Sequence, residues 1–167
     1  YYNRFYFVHP DGAVQHYDKK HLFTFGGEHK RFTAGTERVV VNFRGVRILL
    51  EVCYDLRFPV WARNLGDYDM ILYVASWPTP RVDAWSALLR ARAIENQCYV
   101  AGVNRMGVDP ACEYSGGSAI IDPYGKTIAE CPWSRESAVS ADIDMEALQA
   151  FRKKFPVLDD ADPFTLI

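Results

Sequence analysis

The sequence predicts a mixed α/β fold, on three observations. Short segments rich in β-branched and aromatic residues recur between Gly, Pro and Asp turns. Helical stretches interrupt them, and the composition, 49% hydrophobic and 24% charged over 167 residues, is that of an ordinary globular protein. That length suits one domain over residues 1–167, with no internal repeat and no linker. Disorder and low complexity are excluded. Apolar runs such as Met70 to Ala75 are far shorter than the ~20 residues that cross a bilayer, so no membrane role is expected.

Taken in order, residues 4–8 read as a strand, His9-Pro10-Asp11-Gly12 as a turn, and Ala13 to Tyr17 as the returning strand of a hairpin. Val39 to Phe43 and Val46 to Cys53 are near-continuous apolar runs about Arg44-Gly45, the pattern of strands covered on both faces. A short helix through Trp61 and Leu65 follows, then a strand from Met70 to Ser76 and a loop at Trp77-Pro78-Thr79-Pro80. Asp83 to Gln97 spaces Trp85, Leu88, Leu89 and Ile94 among good helix formers. Cys98 to Asn104 reads as a buried strand, Tyr114 to Gly117 as loop, and Ser118 to Asp122 with Lys126 to Glu130 as a pair about an Asp-Pro-Tyr-Gly turn. Ala138 to Ile143 is expected to be a last strand and Asp144 to Lys154 a closing helix. Arg152-Lys153-Lys154 then reads as a charge cluster at a helix C-terminus, and Asp159 to Ile167 as a tail that docks on a neighbour.

The charge balance, 19 Lys and Arg against 21 Asp and Glu, has no long block of either sign and so no footprint for a phosphate backbone; nucleic acid is not an expected partner. Four widely spaced cysteines, with no C-x-x-C pair, argue against a zinc site and a disulfide framework, and fit reduced thiols in a cytoplasm. The opening Tyr1-Tyr2-Asn3 carries no initiator Met and runs straight into a strand, as if the chain began inside a fold.

Three residues stand out chemically. Cys53 ends a strand where a turn begins, the place at which a nucleophile is displayed beside free backbone N–H groups; the alternative is an inert buried cysteine. In Asp18-Lys19-Lys20 one lysine must point inward, and a buried ammonium needs a partner such as Glu28, although spacing by itself favours a solvated surface pair. Trp77 and Trp85 suit either a substrate cavity or the core, with cavity favoured for Trp77 because Pro78 forces it onto a loop; Arg57 and Arg81 are candidates for a substrate carboxylate. Arg57 has the alternative of tying down the loop after Cys53 through Asp55.

Tyr17-Asp18-Lys19-Lys20-His21-Leu22-Phe23, Cys53-Tyr54-Asp55-Leu56-Arg57-Phe58-Pro59 and Ala91-Arg92-Ala93-Ile94-Glu95-Asn96-Gln97, in that order, resemble the nitrilase (carbon–nitrogen hydrolase) superfamily and, within it, omega-amidases. Ser76-Trp77-Pro78 and Asn104-Arg105 extend the resemblance. It implies a four-layer αββα sandwich and an enzyme that cleaves small omega-amido dicarboxylates, 2-oxoglutaramate and 2-oxosuccinamate, through a cysteine thioester, with no cofactor and no metal. Cys53 then matches the nucleophile, Lys19 the stabiliser of the tetrahedral intermediate with the Tyr54 backbone N–H, and Glu28 an additional carboxylate that positions substrate. The match is to the C-terminal two-thirds of a family member. The family's general-base glutamate accordingly corresponds to no residue of this chain, and neither Asp11 nor Asp18 is placed to replace it. The helices after Cys53 and from Asp83 resemble those that pair in superfamily dimers, so a homodimer is expected. Other amidases or nitrilases of the superfamily, a Cys-His hydrolase using His21 or His29, and a non-catalytic scaffold are the competing readings.

Overall fold

The computed structural model describes residues 1–165. Strands β1 (Arg4–Val8) and β2 (Val14–Asp18) form an antiparallel hairpin, with Gly12 supplying the left-handed turn residue. The central sheet has six strands in the order β10-β9-β6-β5-β4-β3. In chain order these are β3 (Val40–Phe43), β4 (Val46–Val52), β5 (Met70–Ala75), β6 (Tyr99–Asn104), β9 (Ala119–Ile121) and β10 (Thr127–Glu130). Between β6 and β9 lies a separate hairpin of β7 (Met106–Val108) and β8 (Glu113–Ser115). The β4, β5 and β6 strands are parallel, so the chain crosses back between them through α1 (Pro59–Ala62) and then α2 (Val82–Asn96). Helix α3 (Met145–Lys154) closes the fold, capped by the Asp144 side chain, which accepts from the Ala147 N–H.

Alternation along the central strands sorts the core into two layers. Leu49, Ile71, Tyr73 and Val100 face Trp85, Leu89 and Ala93 of α2. Ile48, Leu50, Val52, Leu72 and Val74 face the other way, where Phe5, Phe7 and Tyr17 of the β1–β2 hairpin cover them. Helix, sheet and second sheet therefore stack in the order that an αββα sandwich requires. The near-continuous apolar reading of β4 follows from this double coverage. Among the described residues, no helix is long and apolar enough to cross a membrane.

Several expectations are corrected. Residues 138–143 have strand composition but pair with no strand, and residues 138–140 are exposed; β-branched residues without a neighbouring ladder do not make a sheet. Tyr114 and Ser115 belong not to a loop but to β8, whose partner β7 is too short, too exposed and too interrupted by Gly107 to show periodicity. Helix α1 stops at Ala62 rather than Leu65, because the Asn64 N–H donates to Asn96 Oδ1 and draws the chain toward the end of α2. The expected Trp77–Pro80 loop runs into a 3-10 turn over Thr79–Arg81. Arg152 is not a solvated helix-end charge: it bonds Asp69, the Tyr68 carbonyl and the Gln97 carbonyl, and so ties α3 to the sheet. The expected docking tail starts within a 3-10 turn over Val157–Asp160, while Leu166 and Ile167 lie outside the described residues.

Close seating of α2 depends on Gly102 in β6. A Cβ there would lie 2.6 Å from Leu89 and 2.8 Å from Trp85, side chains that are themselves fully packed. Gly102→Ala is expected to lower unfolding free energy by about 1–3 kcal/mol, the usual cost of overpacking, as read by urea denaturation.

Candidate active site

Strand β4 ends at Val52, and Cys53 follows with φ 49°, a left-handed conformation that costs a non-glycine residue free energy. The strain turns the chain sharply into a 3-10 turn, Cys53–Arg57, and leaves the thiol half-buried at the sheet rim. Tyr54 lies in the first turn, where a backbone N–H has no intrahelical acceptor. Cys53 Sγ donates to the Ser76 carbonyl at 3.8 Å, at the rim of the adjacent strand β5.

Lys19 arrives from the other sheet layer, immediately after β2, and is 3% exposed. Its backbone is fixed on both sides, since its N–H donates to the Asn3 carbonyl and its own carbonyl accepts from the Gly35 N–H, both at 2.9 Å. Gly35 is obligatory for that approach, as a Cβ would meet the Asp18 carbonyl oxygen at 2.0 Å. The Lys19 ammonium donates to Glu28 Oε2 at 2.6 Å. This is a buried pair rather than the solvated one that spacing favoured, and Lys20 instead lies over the Trp61 ring. Glu28 also accepts from the Phe23 N–H and from Asn3 Nδ2. Burial works to raise the Glu28 carboxyl, but these donors and the Lys19 charge outweigh it and hold it below the usual carboxylate range. Glu28 is thus an occupied anion that anchors Lys19.

Asp55 couples the two arms. Fully buried, it accepts from the Tyr17 hydroxyl (2.9 Å), the Val52 N–H (3.2 Å), and both the N–H and Nδ1 of His21 (2.8 Å each). This engages His21, whose ring also stacks on Phe58 at 3.8 Å. Neither His21 nor the exposed His29 lines the cleft around Cys53, which removes the geometric basis for a Cys-His pair. Asp18 is bound in two bonds by Arg4, and Asp11 accepts from Ala13 within its hairpin turn, so neither reaches the thiol. Arg57 does not tie down the loop through Asp55; its guanidinium lies 4.9 Å over the Trp77 ring.

The cleft encloses about 1100 Å³ and is lined by Cys53, Lys19, Glu28 and Tyr54 on one side. Trp77, Arg57 and Arg81 line it as well, so every sequence-predicted site residue faces one space. Arg81 lies over Phe23 at 5.6 Å. Neither arginine forms an ion pair among the described residues, whereas Lys19 is neutralised by Glu28. Trp77 serves as both core and wall: it is 3% exposed and packs on Trp85, and its indole N–H donates to the Arg81 carbonyl. Trp85 is core alone. Burial pushes the Cys53 thiol up; Lys19 pulls it down without compensating, and Glu28 and Asp55 add to the rise. The resting group is therefore a thiol that needs a base to attack.

Sequence reading singled out neither Asp55 nor Glu51 as a site group. A carboxylate two residues past a candidate nucleophile, in an otherwise apolar stretch, was the signal for Asp55. Glu51 points to the α2 side of the sheet, fully buried, and neither of its oxygens nor the hydroxyl of its register partner Tyr73 has a hydrogen-bond partner among the described residues. Burial, aided by Asp55, raises the Glu51 carboxyl well above the ordinary range despite Arg38 and Arg92. A carboxyl raised on folding stabilises the fold below its unfolded pKa of about 4.3 and loses that contribution as pH rises toward the folded value. Glu51→Gln lacks this slope. Denaturant unfolding at pH 5 and pH 9 is expected to show the variant gaining on the native protein as pH rises, and a constant gap would contradict the neutral carboxyl.

Comparison with known proteins gives the chain's relatives. The carbon-nitrogen hydrolase family profile matches residues 1–153. The omega-amidase YafV of Escherichia coli (strain K12) is 54% identical over 165 residues, covering 98% of this chain and 64% of that protein. The 2-oxoglutaramate amidase of Bacillus subtilis is 41% identical over 162 residues, covering 95% of this chain and 62% of that protein. The crystal structure of XC1258 from Xanthomonas campestris, a CN-hydrolase superfamily protein with an arsenic adduct in its active site, superposes with TM-score 0.95 at 49% identity. It is matched over 99% of this chain and 65% of its own. The chain thus spans slightly under two-thirds of the length of these relatives.

Proposed function

The chain belongs to the carbon-nitrogen hydrolase family, and from that premise we propose that it hydrolyses the amide C–N bond of small omega-amido dicarboxylates such as 2-oxoglutaramate and 2-oxosuccinamate. The observation that carries the reading is the buried Lys19–Glu28 pair facing a strained Cys53 in a cleft where Arg57 and Arg81 have no carboxylate partner among the described residues. Relatives named as an omega-amidase and a 2-oxoglutaramate amidase support the substrate class.

In this mechanism Cys53 sulfur attacks the amide carbonyl while its proton passes to a base. Glu28 is a poor candidate for that base, because its three donors and the Lys19 charge hold its carboxyl below the usual carboxylate range. By the resemblance, the role belongs to the family's general-base glutamate. The Lys19 ammonium and the Tyr54 N–H hold the developing oxyanion as a preorganised pair. Collapse breaks the C–N bond, and the leaving nitrogen takes the proton and departs as ammonia. Water then hydrolyses the thioester, giving the carboxylate and restoring the thiol. Arg57 and Arg81, braced on aromatic faces, bind the distal carboxylate of the substrate. The same reading makes the protein a cytoplasmic homodimer that needs neither cofactor nor metal. A pure scaffold would gain nothing from a strained cysteine and a buried ion pair, each of which costs stability.

The test is ammonia release from 2-oxoglutaramate by the full-length protein. Cys53→Ala is expected to leave only trace activity, and Lys19→Ala to lower kcat by about 10²–10³ with the fold retained. Lys20→Ala is expected to be close to native. Activity persisting in Cys53→Ala would refute the reading, and preference for a nitrile or an N-carbamoyl amino acid would move the protein to another branch of the family.

A further inference from the structure

Asn104, at the last position of β6, is buried at 6% exposure and points its amide into the turn after β5. Its Oδ1 accepts the Trp77 N–H at 2.7 Å, and its Nδ2 donates to the Trp77 carbonyl at 3.0 Å and the Gly116 carbonyl at 2.7 Å. Both backbone groups of Trp77 are thus held by one side chain. The Trp77 N–H belongs to the same planar peptide as the Ser76 carbonyl, which accepts from the Cys53 thiol. Fixing one end of that peptide fixes the other. Downstream, the Trp77 ring carries the Arg57 guanidinium on its face and the Arg81 carbonyl on its N–H.

We propose that Asn104 is a positioning residue that sets, through the Ser76–Trp77 peptide and the Trp77 ring, both the acceptor of the nucleophile's thiol and the two arginines that select a carboxylate-bearing amide. The part concerning selection rests on the function proposed above; the part concerning the thiol does not. The chemistry requires an amide at this position. Three partners, one donor and two acceptors, match the one oxygen and two N–H groups of Asn, and no other side chain of that size offers both. Aspartate would keep the acceptor and turn a second oxygen toward two carbonyls, leaving them unpaired and repelled.

The experiment compares Asn104→Asp with Ser118→Ala. Among the described residues Ser118 Oγ bonds only the Asn104 backbone, accepting its N–H and donating to its carbonyl, so this variant perturbs the same strand end without releasing Trp77. Two readouts are taken on the full-length protein. One is the pH profile of Cys53 alkylation by iodoacetamide, which needs no turnover. The other is the ratio of kcat/KM for 2-oxoglutaramate to that for propionamide, which has no carboxylate. Asn104→Asp is expected to displace the alkylation profile and to lower the ratio by about tenfold, the scale of one lost buried hydrogen bond, chiefly through KM. Ser118→Ala is expected to leave both near native. A native profile and an unchanged ratio in Asn104→Asp would overturn the inference, as would equal loss on both amides in proportion to lost thermal stability. If Asn104→Asp does not fold, Trp77→Phe decides, since it removes the indole donor but keeps the backbone clamp. It is expected to lower the ratio with the alkylation profile intact, and a profile that moves would overturn the inference. Should the native protein turn over neither amide, the proposed function fails, while the alkylation profile still decides the role of Asn104 at the thiol.

Discussion

Four donors converge on the carboxyl group of Asp55, and the rest of the site hangs on that convergence. Two of them, the Tyr17 hydroxyl and the His21 backbone, lie on either side of Lys19; a third, the Val52 N–H, belongs to the residue before Cys53. One buried group thus fastens the segment from one sheet layer to the elbow rising from the other. The bond network continues outward, for Trp61 Nε1 and the Lys20 N–H both donate to the Tyr17 oxygen. A buried carboxyl satisfied by this many donors holds its surroundings to a single arrangement, because each donor released into the interior would be left unpaired.

Around that joint the charges divide their work. Glu28, engaged by three donors, holds Lys19 in place, so the ammonium stays in a buried position where it would otherwise be costly. The thiol is kept neutral by burial, which makes attack conditional on a base and protects the resting protein from indiscriminate chemistry. Arg57 and Arg81 retain their charge for the cleft because aromatic faces, not carboxylates, brace them. A cleft with this balance favours an anionic ligand.

The central sheet was legible because its strands are short, apolar and separated by turn residues; α2 was legible from its helix formers and from Trp85 and Leu89, although Ile94 faces outward and Arg92 and Asn96 are buried in its place. The β7–β8 hairpin was not, since three exposed residues a side around Gly107 give no periodicity to detect. Residues 138–143 misled for the opposite reason: strand-forming residues were present without a strand to pair with. At the site, Cys53 and Lys19 stood out through motif order and Glu28 through the resemblance alone, while composition and spacing would have placed Lys19 and Glu28 at the surface. The functions of Asp55, Gly35 and Asn104 were hidden because each acts through contacts distant in sequence. Asp55 bonds residues 34 and 38 positions away, and Asn104 bonds one 27 away. Such links are properties of the folded layers, which no local pattern encodes.

The central claim is that Asp55 positions Lys19 against Cys53, and the pH profile of Cys53 alkylation in Asp55→Asn tests it most directly. Two effects of opposite sign compete in that variant. Removing the Asp55 charge by itself lowers the thiol's pKa, while a shift of the Tyr17–His21 segment that draws Lys19 away from Cys53 raises it, and the Lys19 influence is the larger of the two. Asparagine has one acceptor oxygen for four donors, so the joint opens. An alkylation midpoint that moves to higher pH in Asp55→Asn is the result the account predicts; a midpoint that moves to lower pH would mean that Asp55 acts on the thiol only as a nearby charge, and would contradict it.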